Sequence, residues 1–255
     1  MQILTNLEGP ILRLQINRPE KRNALTLDMY EQMTSALQEA DRNPTVRVVL
    51  IHGHPDCFSS GNDLQDFAHS PPVGEDSPVG RFITAISTAR KPLVAAVAGP
   101  AVGIGTTMLL HCDFVYAAEN TRFQAPFVNL ALLPEVGSSL LLPMQIGYLR
   151  AAELLMLGEP FSAATALQYG LVTAVAKDGP AALEAAQAVA AQLSAKPPAA
   201  LLQIKMLLKK PHAEQVAAQV ADETRHFAEQ VRSPEAAEAF QAFFEKRAPN
   251  FTQFA

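Results

Sequence analysis

Residues 99–113, Gly-Pro-Ala-Val-Gly-Ile-Gly-Thr-Thr-Met-Leu-Leu-His-Cys-Asp, form the most chemically suggestive stretch of the chain. The segment before them, residues 91–98, opens with Lys91-Pro92, continues apolar, and reads as a buried strand. Gly99, Gly103 and Gly105 then permit a tight turn with close backbone approach, and residues 106–112 contain no breaker, so they read as the first turns of a buried helix. A strand, a glycine turn and a helix in this order aim free backbone N–H groups at an anionic or polarised oxygen; a turn used for packing alone has the same composition. A second stretch, residues 52–64, is a long loop of turn-forming residues that includes Ser60, Gly61, Asn62, Asp63 and Leu64. A carboxylate, Glu135, stands between the apolar residues 130–134 and 140–143. Such surroundings raise a carboxyl group's proton affinity towards that of a useful general base. A solvated loop glutamate or a charge at a helix N-terminus fits the same position.

The remaining ionisable residues suggest less chemistry. Asp63 fits a role in fixing its own loop, and Asp113 one in closing a helix or pairing with a base. His52, His54 and His69 lie in loops without ligand spacing, His111 falls inside an apolar helix, and no metal site is indicated. Cys57 and Cys112 are too far apart to suggest a disulfide framework, and reduced thiols in a cytosol are expected.

Around these residues stands a chain of 255 amino acids, 49% hydrophobic and 18% charged, enough for a large core and unlike a disordered chain. A net charge of −5 argues against electrostatic nucleic-acid binding. The first residues lack a basic region followed by an apolar core, the apolar runs are too short or broken to span a bilayer, and the last residues are not a peroxisomal address. A cytoplasmic protein that inserts in no membrane is the expectation.

The elements that must position the candidate residues read as follows. Residues 11–17 alternate as a strand with a hairpin partner at 2–6. After the polar loop 18–25, Thr26 caps a helix carrying Leu27, Tyr30, Met33, Leu37 and Ala40, which Asn43-Pro44 ends. Further strands are expected at 46–51, 93–98, 114–118, around 122–124 and at 171–175, and a mobile polar segment at 66–77. Helices are expected over 79–90, 163–169, 181–194 and 199–210, with one or two more over 216–244. Two strands and a helix thus recur over 2–41, 46–90 and 93–112. The reading is one α/β core over residues 1–195 with a helical extension over 196–255.

Several of these local patterns occur in an order that resembles the crotonase (enoyl-CoA hydratase/isomerase) superfamily. They are Asn17-Arg18-Pro19-Glu20-Lys21-Arg22-Asn23-Ala24-Leu25, Phe58-Ser59-Ser60-Gly61-Asn62-Asp63-Leu64, and Gly99-Pro100-Ala101-Val102-Gly103-Ile104-Gly105. Cys112-Asp113, Leu157-Gly158-Glu159-Pro160-Phe161-Ser162-Ala163 and Tyr169-Gly170-Leu171-Val172 follow. The resemblance covers nearly the whole chain. It implies a spiral of ββα units with a helical C-terminal part, assembly as a homotrimer or a hexamer, and a coenzyme A thioester as substrate with no further cofactor. It also implies an oxyanion hole formed by the backbone N–H groups of Asn62 and Ile104, each of which follows a glycine. The substrate channel would be lined by Arg22, Ala24, Ser60, Gly61, Asn62, Asp63, Leu64, Gly103 and Ile104. Lys21, Arg22, Lys205, Lys209 and Lys210 would be the candidates for the phosphates, and Met108, Phe127, Leu130 and Leu133 those for the acyl chain.

Acid–base residues decide the reaction in this superfamily. The hydratases it resembles carry two glutamates, at the positions of Thr107 and Phe127 here, and neither residue titrates. Hydration, which needs one group for the water and one for the proton, is therefore disfavoured. The segment Leu132-Leu133-Pro134-Glu135-Val136-Gly137-Ser138-Ser139 is instead similar to the Δ3,Δ2-enoyl-CoA isomerases, with Glu135 at their catalytic glutamate. The Ser-Gly-Asn-Asp-Leu form of the oxyanion loop resembles their peroxisomal-type branch. The alternatives are another thioester reaction using Glu135, such as hydrolysis or isomerisation of a ring-derived substrate, and a non-catalytic acyl-CoA-binding subunit.

Overall fold

The architecture rests on two sheets of different size, seen in a computed structural model that describes residues 2–69 and 74–254. Strands β1 (Ile3–Glu8) and β2 (Ile11–Ile16) form the expected hairpin, with β1 ending two residues later than its sequence pattern suggests. Helix α1 (Leu27–Arg42) follows, and Thr26 caps it by accepting the Met29 N–H at 3.3 Å. Next come β3 (Val48–His52), α2 (Leu64–His69), α3 (Pro78–Ser87), β4 (Leu93–Val97), β5 (Pro100–Val102) and α4 (Ile104–Thr107). β6 (Phe114–Ala118), β7 (Arg122–Gln124), α5 (Ser138–Ile146), α6 (Tyr148–Ala152), β8 (Phe161–Ser162), α7 (Ala163–Tyr169) and β9 (Ala174–Ala176) lead on to four longer helices. These are α8 (Gly179–Ser194), α9 (Pro198–Lys209), α10 (Ala213–Gln230) and α11 (Pro234–Glu245).

The large sheet has the order β1-β2-β3-β4-β6-β9 and is parallel except for the first hairpin. Its central strands are apolar throughout because both faces are covered. Val49, Ile51, Leu93, Ala95 and Val97 point into the main core, while Val48, Leu50, Val94 and Ala96 meet Ala186 and Ala190 of α8. The small sheet, β5-β7-β8, is continued by parallel bridges from Ala101 to Ser59 and from Asn62 to Leu25. Each of the later turns of chain thus contributes one strand to the large sheet and one extended piece to the small one. That is the spiral of ββα units that the resemblance implies.

Several local expectations change. Residues 100–102, expected inside a glycine turn, form strand β5, because Ser59 supplies both an N–H to Pro100 O and a carbonyl to Val102 N. The helix expected over 106–112 is split into α4 and a 3-10 turn (Met108–His111). The chain must return at once to the large sheet, where the N–H of Asp113 and the carbonyl of Leu93 pair at 2.8 Å. The strand expected over 171–175 shortens to β9. The N–H of Leu171 still belongs to the C-terminal cap of α7, and pairing with β6 begins only at Thr173. The first part of the segment expected to be mobile, 66–77, belongs to α2; residues 70–73 lie outside the described ones.

Candidate active site

Two backbone turns of the small sheet face each other. Asn62 is the bridging residue of its pair with Leu25: the N–H of Leu25 donates to Gly61 O and the N–H of Asp63 to Leu25 O, at 2.8 and 2.9 Å. The N–H of Asn62 is therefore turned away from that ladder. Ile104 is the first residue of α4, where intrahelical acceptors are missing. Neither N–H finds an acceptor among the described residues. The glycines explain how the turns come so near. A Cβ on Gly61 would sit 2.9 Å from Val102 O, and Gly61 has φ +91°. Gly103 has φ +55° and ψ −121°, a conformation available to glycine almost alone.

The sequence motif at residues 17–25 works as a bracket for the first of these turns. Asn23 is fully buried; its side chain accepts the Arg18 N–H at 2.7 Å and donates to the carbonyls of Cys57 and Phe58. Ser59 Oγ donates to Asn23 O and accepts the Gly61 N–H. Arg18 forms an ion pair with Asp63 at 2.6 Å and also donates to Ala24 O. That pairing, with the N–H groups of Gln65 and Asp66, holds the Asp63 carboxyl below the usual range despite partial burial. Asp63 fixes its loop, as its sequence context suggests. Ser60 donates its N–H to Arg22 O, so Arg22, Ala24 and residues 60–64 lie side by side. Arg22 itself is exposed.

Glu135 is 5% exposed, and its Oε1 has no hydrogen-bond partner among the described residues. It borders a small cavity lined by Phe67 of α2, Val79 and Ile83 of α3, and Phe227 of α10. Burial, and then the negative charge of Glu223, push its carboxyl up to about 8. Tyr30 of α1 connects it to the turn at Asn62. The Tyr30 hydroxyl donates to the Asn62 side-chain oxygen, and the phenol is held well above its ordinary pKa by burial and by the charge of Glu135.

Glu223 is the residue that sequence reading missed. It is 6% exposed and accepts from Gly137 N, Ser139 N and Ser139 Oγ at 2.6, 2.9 and 2.5 Å, closing the N-terminus of α5 from α10. A signal was present: Val216, Val220, Glu223, Phe227 and Val231 follow one helical stripe, and a carboxylate within an apolar stripe needs partners.

Other expectations resolve differently. Lys205 is buried and bound to Asp113 and to Lys91 O, both at 2.7 Å, and the half-buried Lys209 donates to His111 O; these bonds occupy them within the fold, whereas Lys210 is exposed. Asp113 pairs with a base as expected, and it also accepts the Leu93 N–H. His111 is a satisfied core residue, donating from Nε2 to Val136 O at 2.8 Å. Met108 and Phe127 are buried in the core, and Leu130 and Leu133 pack against it. The cavity beside Glu135 is lined by other side chains. Among the described residues no cluster could hold a metal ion, and no helix is long and apolar enough to cross a membrane.

Residues 6–254 match the family model described as enoyl-CoA hydratase/isomerase. The chain is 34% identical over 243 residues to a probable enoyl-CoA hydratase of Bacillus subtilis, covering 93% of each. It is 39% identical over 179 residues to enoyl-CoA delta isomerase 2 of Rattus norvegicus, 68% of this chain and 46% of that protein. The solved structure of Pseudomonas aeruginosa OdaA is 49% identical and superimposes with a TM-score of 0.94 over 95% of this chain and 98% of that one.

Proposed function

From the premise that this chain belongs to the enoyl-CoA hydratase/isomerase family, and is therefore an enzyme of that family, we propose that it moves the double bond of a 3-enoyl-CoA to the 2-trans position. The observation that carries this reading is Glu135, a buried carboxyl with a raised proton affinity, whose charge acts on Tyr30, the residue hydrogen-bonded to the Asn62 side chain. The thioester oxygen accepts from the N–H groups of Asn62 and Ile104. Glu135 takes a proton from the α carbon, and the negative charge spreads onto the held oxygen as a dienolate. The same glutamic acid returns the proton to the γ carbon, so the double bond shifts by one position and the atoms balance. Residues 60–64 with Arg22, Ala24 and Gly103 form the channel for the coenzyme A portion in this reading, and no cofactor is needed. The apolar α9 residues Ile204, Met206, Leu207 and Leu208, exposed in a single chain, suit a homotrimer or hexamer.

Hydration fits the site less well. Thr107 is fully buried with its hydroxyl on Gly103 O, Phe127 is buried, and neither titrates. The second carboxylate, Glu223, has both oxygens occupied by three donors. Purified protein should isomerise a 3-enoyl-CoA at least ~10²-fold faster than it hydrates crotonyl-CoA, since one acid–base partner is missing for the second reaction. Parallel assays of both substrates test this, and comparable turnover would remove the isomerase reading.

A further inference from the structure

We infer that Glu223 and His111 grip the two ends of one peptide unit, Val136–Gly137, and thereby act as positioning residues for Glu135; this rests on the reading of Glu135 as the base. The carbonyl of Val136 accepts from His111 Nε2 at 2.8 Å. The N–H of the same peptide unit, on Gly137, donates to Glu223 Oε2 at 2.6 Å. The two grips come from distant parts of the chain, 25 residues before and 86 residues after. His111 ends the short helical run that begins with the oxyanion donor Ile104, so one grip ties the base to the oxyanion turn. Glu223 ties it to α10, whose Phe227 lines the cavity beside Glu135.

The backbone at this point needs such holding. Val136 has φ +66°, which is rare and costly for a β-branched residue, and Gly137 follows at φ +73°. Two left-handed residues in succession turn the chain sharply after Glu135 and set the direction of its side chain. Capping of α5 alone does not account for Glu223. Exposed Ser, Thr, Asn or Asp at the cap position closes a helix without burying a charge, whereas the cap position here is Gly137 with no side-chain cap. Glu223 instead brings a buried carboxylate towards the one that does the chemistry. The charged and titratable groups around these residues are few. Glu135 is faced by Glu223 from α10 and Tyr30 from α1. Asp222 neighbours Glu223 on its own helix, and Lys205 and Lys209 of α9 stand near His111.

The test is Glu223→Gln, which keeps the shape, removes the charge and leaves one of the two backbone N–H groups without an acceptor. Isomerisation kcat should fall about tenfold or more with KM little changed, as expected for a displaced base. The acid limb of the kcat/KM profile should move to lower pH, because the charge facing Glu135 is gone. Glu223→Asp, which keeps the charge, should leave the limb in place while losing part of kcat. His111→Ala should lower kcat without moving the limb, and it decides the case if Glu223→Gln does not fold. A lowered melting temperature with unchanged kcat and unchanged pH limb in the folded variants would overturn the inference. If the wild type isomerises no 3-enoyl-CoA, the functional reading fails by itself. The grip is then judged by ¹³C NMR titration of the Glu135 carboxyl, assigned by its loss in Glu135→Gln. Its midpoint should fall in Glu223→Gln, and an unmoved midpoint would overturn the inference there too.

Discussion

Replacing Glu135 by glutamine should lower the isomerisation rate by ~10²–10⁴-fold, the range expected when a general base is removed. The amide has nearly the same shape, so fold and thioester affinity should survive; a fall in rate together with lost binding would point to a structural carboxylate. In heavy water the wild type should exchange the α protons of a bound thioester and the variant should not. Glu135→Asp should keep part of the rate, limited by a shorter reach to both carbons. The wild-type profile carries the sign of the shifted group. Glu135 must be ionised to take a proton, and its carboxyl is pushed up to about 8, so kcat/KM should climb with pH and level off near that value. A rate that is flat from pH 5 upwards would contradict the assignment, and Asp63 would be the next candidate to replace.

The second large effect is expected at Gly61. An alanine there places its Cβ 2.9 Å from Val102 O, a backbone atom that moves only with the turn leading into Gly103 and Ile104. The left-handed φ of +91° adds strain. The substitution therefore shifts the N–H of Asn62 relative to that of Ile104. Loss of one oxyanion donor costs ~10²–10³ in rate, and Gly61→Ala should fall in that range with KM affected less than kcat. The far-ultraviolet circular dichroism should match the wild type. A variant that keeps its fold and its full rate would show that these amides are not the oxyanion donors.

The parts of this site that sequence reveals and those it hides differ for physical reasons. The turns at Gly61 and Gly103 are legible because their conformations demand glycine, and glycine is visible as a residue type. Thr26 as a cap, Gly170 as the end of α7 and the apolar strands β3, β4 and β6 are legible for similar reasons, since each is a local rule. Glu135 stands out because a charge between apolar runs breaks a local pattern. Strand β5 was hidden, since three residues become a strand only through partners at Ser59 and at β7, far off in the chain. The tight turn at Met108–His111 was hidden by the need to rejoin β4. Glu223 required knowing that α10 lies against the start of α5, a tertiary fact. The network of Arg18, Asn23 and Ser59 likewise depends on long-range contact. Its residues carry the family resemblance, but their work of holding the turn 57–63 appears only in three dimensions.

Folding and the proposed chemistry draw on the same proton in this molecule. An unfolded chain gives up the proton of a glutamic acid near its ordinary value of 4.5, whereas the native protein holds the one on Glu135 up to about 8. Between those values the native state binds one proton more, so raising the pH favours the unfolded chain by about 1.4 kcal/mol per pH unit for a single group. The raised carboxyl of Glu223 acts in the same direction. Buried His111 acts in the opposite one: its ordinary value of 6.5 falls to about 4, and stability is lost as pH drops through that interval. From 4.5 to 6.5 the slopes of Glu135 and His111 offset each other; above 6.5 that of Glu135 is no longer opposed by His111. The fold should therefore weaken between roughly pH 6.5 and 8, the window in which the base becomes able to work. Melting temperatures of the wild type and Glu135→Gln, which share His111, should converge near pH 4.5 and separate steadily towards pH 8, the variant being the more stable at the upper end. With Glu135 as the proposed base, the enzyme should be marginally less durable wherever it is more reactive, a trade set by one buried carboxyl group.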